Sequence, residues 1–383
     1  MTHSITDSFS LIITLFKHVG LYHDSNQSKF FKIWTYSSYF LTVLCIISVF
    51  INLVVEKNLD LMQINQMFVF LAEGTAGCLK ILPFFVKGRR IKECIEFFGD
   101  DCFAPKHHEE KRITENCFRV CKRNVKIYTV IVTFTATWWS VLPFFESKLR
   151  LPLSLWLPYN VRSGPVTFYA TYLYTVMVAF YFALVSEMME PLIGGLSYHA
   201  ASQIKILKYN LQHLIEKETE NQFCRVNFEN VSEILRRCVI HHNNILHFFS
   251  EYENCFSWCI FCQTAGTTIA LCYSCIGLTL VSSFSMEFAT YIITYFIIAF
   301  QLFFYCHFGT LLYEENSGLM SAIYMGPWYQ YDVKIRRTLL IIMERSKIPL
   351  ILTAGKVINL TYGTFTYVLK TSYSLVAVLN NYS

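Results

Sequence analysis

Five stretches of this chain run for nineteen residues or more without one charged side chain. They lie between Lys32 and Glu56, Lys126 and Glu146, Arg162 and Glu187, Glu253 and Glu287, and Glu287 and Glu314. About 20 apolar residues in a helix cross the ~30 Å hydrocarbon core of a bilayer. A soluble fold could not cover so much apolar surface. Two weaker stretches complete the set: Leu61–Val86 carries Glu73 and Lys80, and Val357–Asn380 is broken by Lys370. The pattern predicts an all-α, polytopic membrane protein with seven transmembrane helices, near 33–55, 63–86, 127–146, 165–190, 254–285, 288–313 and 357–380. Composition agrees, at 54% hydrophobic and 15% charged, against roughly 25% charged in soluble domains. A disordered chain and a disulfide-stapled secreted module are both excluded.

Lysine and arginine set the orientation. The even loops, 87–126, 197–252 and 314–356, hold most of them, whereas the odd loops and the C-terminal tail are poor in both. The positive-inside rule then predicts a cytosolic N-terminus and, after seven spans, an extracellular C-terminus. The net charge of +5 becomes a topology signal, and no nucleic-acid partner is expected. Residues 1–32 form a cytosolic N-terminal segment that lacks the features of a signal peptide. Within it, Ser8–Gly20 is too short to span and reads as an interfacial or re-entrant helix. Spans 1–6 occupy 33–313, a cytosolic anchor segment 314–356, and span 7 with a short outer tail 357–383.

All 14 cysteines fall in spans or cytosolic loops, so they are expected to stay reduced. Cys255, Cys259 and Cys262 sit in an apolar span without nearby His or acidic residues and read as packing. Cys117 and Cys121, one helical turn apart, read the same way. No metal site, cofactor or catalytic constellation is expected, and the chain does not read as an enzyme.

The long cytosolic loops carry helical stripes, such as Ile204, Leu207, Leu211 and Leu214, and Ile335, Leu339 and Met343. Spans 4, 5 and 6 are therefore expected to continue as helices into the cytosol and pack there. A receptor acting through G proteins fits poorly, because the N-terminus is predicted inside and no cysteine pair can tie an outer loop to span 3. A secondary transporter would show internal repeats and Gly/Pro-broken helices, and neither is evident.

The C-terminal third carries Gln301, Tyr305-Cys306, Gly309, Glu315, Ser317, Tyr324 and Trp328-Tyr329. It continues through Arg336-Arg337, Leu339, Pro349, Ala354-Gly355, Phe365 and Lys370-Thr371-Ser372-Tyr373-Ser374. In order and spacing this resembles the insect odorant receptor family. The 56-residue loop 4 lacks the large insertion of the family's shared co-receptor, so the chain resembles a ligand-tuned subunit. The resemblance implies an odorant-gated, non-selective cation channel, a heterotetramer with co-receptor subunits in the plasma membrane of olfactory sensory neurons. It implies a cytosolic anchor domain, a pore lined by span 7, and an odorant pocket in the outer half of the helix bundle. Gustatory-receptor-like channels are the alternative.

The residues can be read beside that implication. The pocket should form where the outer halves of spans 2, 3, 4 and 6 converge. Span 2 offers Met67, Phe70 and Gly74, and span 3 offers Trp138, Trp139 and Leu142. Span 4 offers Tyr169, Tyr172, Leu173 and Val176, and span 6 offers Tyr291 and Tyr295. This set is apolar and aromatic, as small-molecule sites are. No ionic groups converge, so a small neutral volatile is expected. Span 7 is polar for a lipid-facing helix, which suits a wet axis, and turns apolar at Leu375–Leu379, where a ring of such side chains can expel water. Val376 matches the position of the family's gate valine; Ser372, Leu379 and Asn380 complete the pore and gate candidates. Lys370 needs pore water or an acid, with Glu314 and Glu315 as candidates. Glu73 either touches ligand or satisfies a buried group.

Overall fold

The uncharged stretches fold as helices, as they must where only hydrogen bonds within the segment can satisfy the backbone. A computed structural model describes residues 8–22, 29–57, 59–145, 150–214, 228–282 and 285–382. The helices are α1 (Ser10–Val19), α2 (Lys29–Val55), α3 (Leu61–Glu96), α4 (His108–Val141) and α5 (Pro165–Glu187). They continue as α6 (Met189–Gln212), α7 (Phe228–Leu280), α8 (Met286–Met325), α9 (Val333–Ser346) and α10 (Tyr362–Tyr382). Among the described residues, six segments are long and apolar enough to cross a membrane: α2, α3, α4, α5 running into α6, α7 and α8. The seventh, α10, has 21 residues, enough to span, with a more polar sequence.

Several helices far exceed the bilayer. At 1.5 Å per residue, the 53 residues of α7 make a rod roughly 80 Å long. In each rod an apolar half and an amphipathic half share one helix, the amphipathic half first in α4 and α7 and last in α3 and α8. α3 and α7 form the most extensive helix pair; α8 packs on α6 and α7, α4 on α6 and α5, and α10 on α7 and α8. α2 stands at the rim. It leaves Phe30, Ile33, Trp34, Phe40, Phe50 and Val54 exposed, a face that lipid would solvate. Burial is densest where α6 meets α7 and α8: Leu192, Ile193, Leu196, Leu207, Ile245 and Phe256 have no exposed surface. α1 presses its apolar face into the same region, with Phe16 edge-on to Phe84 of α3 at 5.6 Å and Phe9 against His199 of α6 at 5.7 Å.

An ion pair lies inside this core. Lys80 Nζ donates to Glu190 Oε1 at 2.6 Å and to Gln263 Oε1 at 2.8 Å, and neither charged side chain has exposed surface. Gln263 Nε2 in turn donates to Glu73 Oε2 at 3.0 Å. The two charged residues that made span 2 look weak are therefore joined to α6 and α7. A buried charge is tolerated only when paired and hydrogen-bonded.

The start of the last helix differs from the sequence expectation. Residues 357–361 are not helical. Thr353–Ala354 (β1) pairs antiparallel with Ile358–Asn359 (β2), and the chain turns through Gly355 and Lys356 at φ 62° and 61°. Leu360 N–H closes the hairpin onto the Leu352 carbonyl at 2.9 Å. Gly309 of α8 lets this strand in, since a Cβ there would stand 2.3 Å from the Leu360 carbonyl oxygen. A left-handed turn cannot sit inside a right-handed helix, so α10 begins at Tyr362.

Candidate functional site

A cavity of about 220 Å³ opens between α2, α3, α4, α5 and α8. Each helix contributes one stripe at helical spacing. α4 supplies Tyr128, Ile131, Val132, Thr135, Ala136 and Trp139; α5 supplies Val176, Ala179, Ala183 and Glu187; α8 supplies Thr294, Ile297, Ile298 and Gln301. Thr42, Cys45 and Ile46 of α2, Val69, Phe70 and Glu73 of α3, and Pro152 and Leu153 between α4 and α5 also line the cavity.

The wall is mostly apolar with scattered hydroxyls, and its carboxylate and amide side chains are Glu73, Glu187 and Gln301. Gln301 Nε2 donates to Glu187 Oε2, and Glu73 accepts from Gln263 as above. Among the described residues, Glu73 Oε1 and Gln301 Oε1 are buried without a hydrogen-bond partner. Two acceptors at the base of an apolar chamber can hold a donor. Through Gln263 and Lys80, that base also connects to α6 and α7.

Three of the twelve pocket candidates line this cavity: Phe70, Trp139 and Val176. The others lie elsewhere. Tyr172 is buried and donates to the Ser140 carbonyl, tying α5 to α4. Trp138 Nε1 donates to Thr290 Oγ1 at 3.2 Å, tying α4 to α8. Tyr291 accepts from Asn65 Nδ2 at 3.1 Å and fills the space left by Gly277, where a Cβ would meet its ring at 2.2 Å. Met67 and Leu142 are buried outside the lining, and Gly74 packs behind it against Ile46. Tyr295 packs edge-on to Phe296, and Tyr169 and Leu173 are exposed. The lining omitted from the sequence reading includes α2, Glu187 and Gln301. The stripes continue one to three turns deeper than expected, and their small residues, such as Ala179 and Ala183, leave the room that the aromatics would fill.

On α10, Ser372 is fully buried. It donates to the Val368 carbonyl at 2.9 Å and accepts from Cys272 Sγ of α7 at 3.6 Å, so it falls on the packed face. The opposite face exposes Thr366, Tyr367, Lys370, Thr371 and Tyr373. The side chains of Val376, Leu379 and Asn380 lie outside the described residues. Glu315 is paired with Lys208 at 2.6 Å, which removes it as the partner proposed for Lys370.

Helix count, helix length and an internal chamber of small-molecule size define a polytopic all-α membrane protein that encloses a ligand-sized space. The profile of the family described as 7tm odorant receptor matches residues 60–373, and the chain belongs to that family. It is 21% identical to odorant receptor Or1 of Anopheles gambiae over 83% of this chain and 80% of that one. It is 25% identical to odorant receptor 19a of Drosophila melanogaster over 61% and 59% of the two chains. The fold matches the olfactory receptor OR5 of Machilis hrabei solved with eugenol, with a TM-score of 0.84 at 14% identity, covering 98% of this chain and 100% of that one. A second structure of the same receptor gives 0.82.

Proposed function

We propose that the chain is the odorant-binding subunit of a heteromeric, odorant-gated cation channel, with volatile ligands bound in the α2–α3–α4–α5–α8 cavity. The observation that carries this reading is the chamber itself, apolar in its walls and hydrogen-bonding at its base. A ~150 Å³ apolar cavity takes benzene, so about 220 Å³ suits a somewhat larger volatile. The free acceptors on Glu73 and Gln301 favour one that carries a hydroxyl or another donor. Eugenol, the ligand of the matched Machilis receptor, is such a molecule, a small aromatic phenol.

The cytosolic ends of α6–α8, with α9 and the β1–β2 hairpin, form the anchor through which the subunit joins co-receptor subunits, and α10 lines a central pore. The N-terminus is cytosolic and the C-terminus extracellular. Ligand at Glu73 reaches α10 through Gln263 on α7, against which Ser372 packs. The test is a panel of volatiles on cells expressing this chain with the co-receptor, including alcohols and phenols paired with their methyl ethers. The donor-bearing member of each pair is expected to be the more potent by about tenfold, the worth of one hydrogen bond to a charged or buried group. Currents that vanish when G proteins are blocked would overturn the channel reading. Equal potency of ethers and alcohols would overturn the role of the cavity's base.

A further inference from the structure

The spacing of Cys117 and Cys121 puts both thiols on one face of α4, and folding adds a third donor from a distant part of the chain. His199 of α6 comes against them, and the two sulfurs and a ring nitrogen of His199 all lie within 4.8 Å of one another. All three residues are buried, at 1%, 1% and 3% exposure. The rings of Phe9, Phe98 and Phe118 surround the imidazole, with centroids 5.7, 6.1 and 5.5 Å away. Gly195 keeps this shell tight, because a Cβ there would meet the Phe9 ring at 2.6 Å.

The donors turn mainly to one another. His199 Nε2 has no hydrogen-bond partner, Cys121 Sγ reaches the Gly195 carbonyl at 3.9 Å, and Cys117 interacts with Cys121, His199 and Ser202. A purely structural core at this place would gain from aliphatic side chains, which carry no unsatisfied polar atoms. Two sulfurs and an imidazole are instead the donor set of a soft, tetrahedral metal centre.

We propose that Cys117, Cys121 and His199 form a zinc site that pins α4 to α6. Zinc takes sulfur at about 2.3 Å and imidazole nitrogen at about 2.0–2.1 Å, so the donors need close up only slightly. Charge selects the metal. Zn²⁺ displaces one proton from each thiol, both protons pass to solvent, and two thiolates with a neutral imidazole leave the centre uncharged. A monovalent copper ion on two thiolates would leave a net negative charge in a dry aromatic shell, which is costly. Ser202, one turn along α6 from His199 and in reach of Cys117, can supply the fourth ligand. Under the orientation proposed above, the site faces the reducing side of the membrane, where thiols persist and bind metal. The metal would fix the helix of the second loop to the continuation of span 4, at the place where α1 also docks.

The test uses the full-length chain purified in detergent without chelators. Elemental analysis is expected to find about one zinc per chain, the capacity of a single closed site. Replacement by Co²⁺ is expected to give thiolate-to-cobalt charge-transfer absorption. C117S/C121S prepared identically should lose that one equivalent and the absorption, and zinc added after chelation should raise the unfolding temperature of the wild type alone. If the double variant does not fold, C121A alone serves, with the charge-transfer absorption expected to fall by about half, one thiolate of two. Wild-type protein without zinc and without a cobalt–thiolate band overturns the proposal. So does a band of undiminished intensity in the variants, which would belong to other cysteines.

Discussion

Trp139 borders the cavity, while Tyr172 directs its hydroxyl to the Ser140 carbonyl. Both are aromatic residues of the α4–α5 pair, and their substitutions should behave differently. Trp139→Ala removes a cavity-facing ring, expected to be worth on the order of 1–3 kcal/mol, or about 5- to 150-fold in potency, with rank order changed among odorants. Tyr172→Phe loses one helix-to-helix hydrogen bond, about 1 kcal/mol, and should lower surface expression without altering rank order. Dose–response curves with a co-receptor agonist as control separate the two, and a changed rank order in Tyr172→Phe would place its ring in the site. Lys80 belongs to a third kind. Lys80→Met would strand the Glu190 carboxylate in the core, a loss of about 3–5 kcal/mol, and surface labelling should fall sharply. Lys80→Met with Glu190→Leu removes both charges and should recover part of it. Equal loss in single and double variants would mean that the pair is not what holds the core.

At the scale of the elements, the amphipathic halves of α4, α6 and α7 enclose groups that titrate. His241 of α7 hydrogen-bonds Gln203 Oε1 of α6 through Nε2 at 3.0 Å. Burial pushes its pKa down from 6.5 to about 4, with His242 adding to the effect and Glu110 opposing it. The neutral ring is therefore the folded form, and between pH 6.5 and 4 the unfolded chain binds the extra proton. Stability contributed here is complete above pH 6.5 and is lost as pH falls towards 4, by on the order of 3 kcal/mol at most. Thermal unfolding in detergent at pH 7.5 and 5 should show the drop, and His241→Gln should flatten it; an unchanged pH slope in that variant would exclude His241. The long apolar helices themselves were legible in the sequence, because a run with little or no charge is a one-dimensional signal. Helix phase was not. Which face of α5 meets α4 depends on all its neighbours, so a search for large side chains at helical spacing chose Tyr169 and Leu173, which are exposed, over Ala179 and Ala183, which make the space. The β1–β2 hairpin escaped notice because each of its strands is only two residues long, and His199 escaped because its partners lie 78 and 82 positions earlier.

The molecule as a whole leaves one surface without a solvent. Most of its exposed apolar side chains suit lipid, but α10, packed on α7 and α8, turns Thr366, Lys370 and Thr371 outward together with Tyr367 and Tyr373. A lysine and several hydroxyls facing hydrocarbon would cost several kcal/mol, so this face needs water or another subunit. Copies arranged about a central axis with α10 innermost give it water, and the same arrangement makes it the wall of a pore. Lys370 then places a positive charge beside passing cations. Lys370→Glu, expressed with the co-receptor, is expected to raise single-channel conductance and divalent permeability, because it replaces a repelling charge by an attracting one. Its effect should be the same for every agonist, since the odorant cavity lies elsewhere in the bundle, and half-maximal concentrations should stay within about twofold, under 0.5 kcal/mol. The magnitude should fall as ionic strength rises, because a charge in a wet pore is screened over about 10 Å at 0.1 M salt. Unaltered conductance and permeability at normal surface expression would mean that the Lys370 face is covered by a neighbouring subunit and that the ion path runs along another helix.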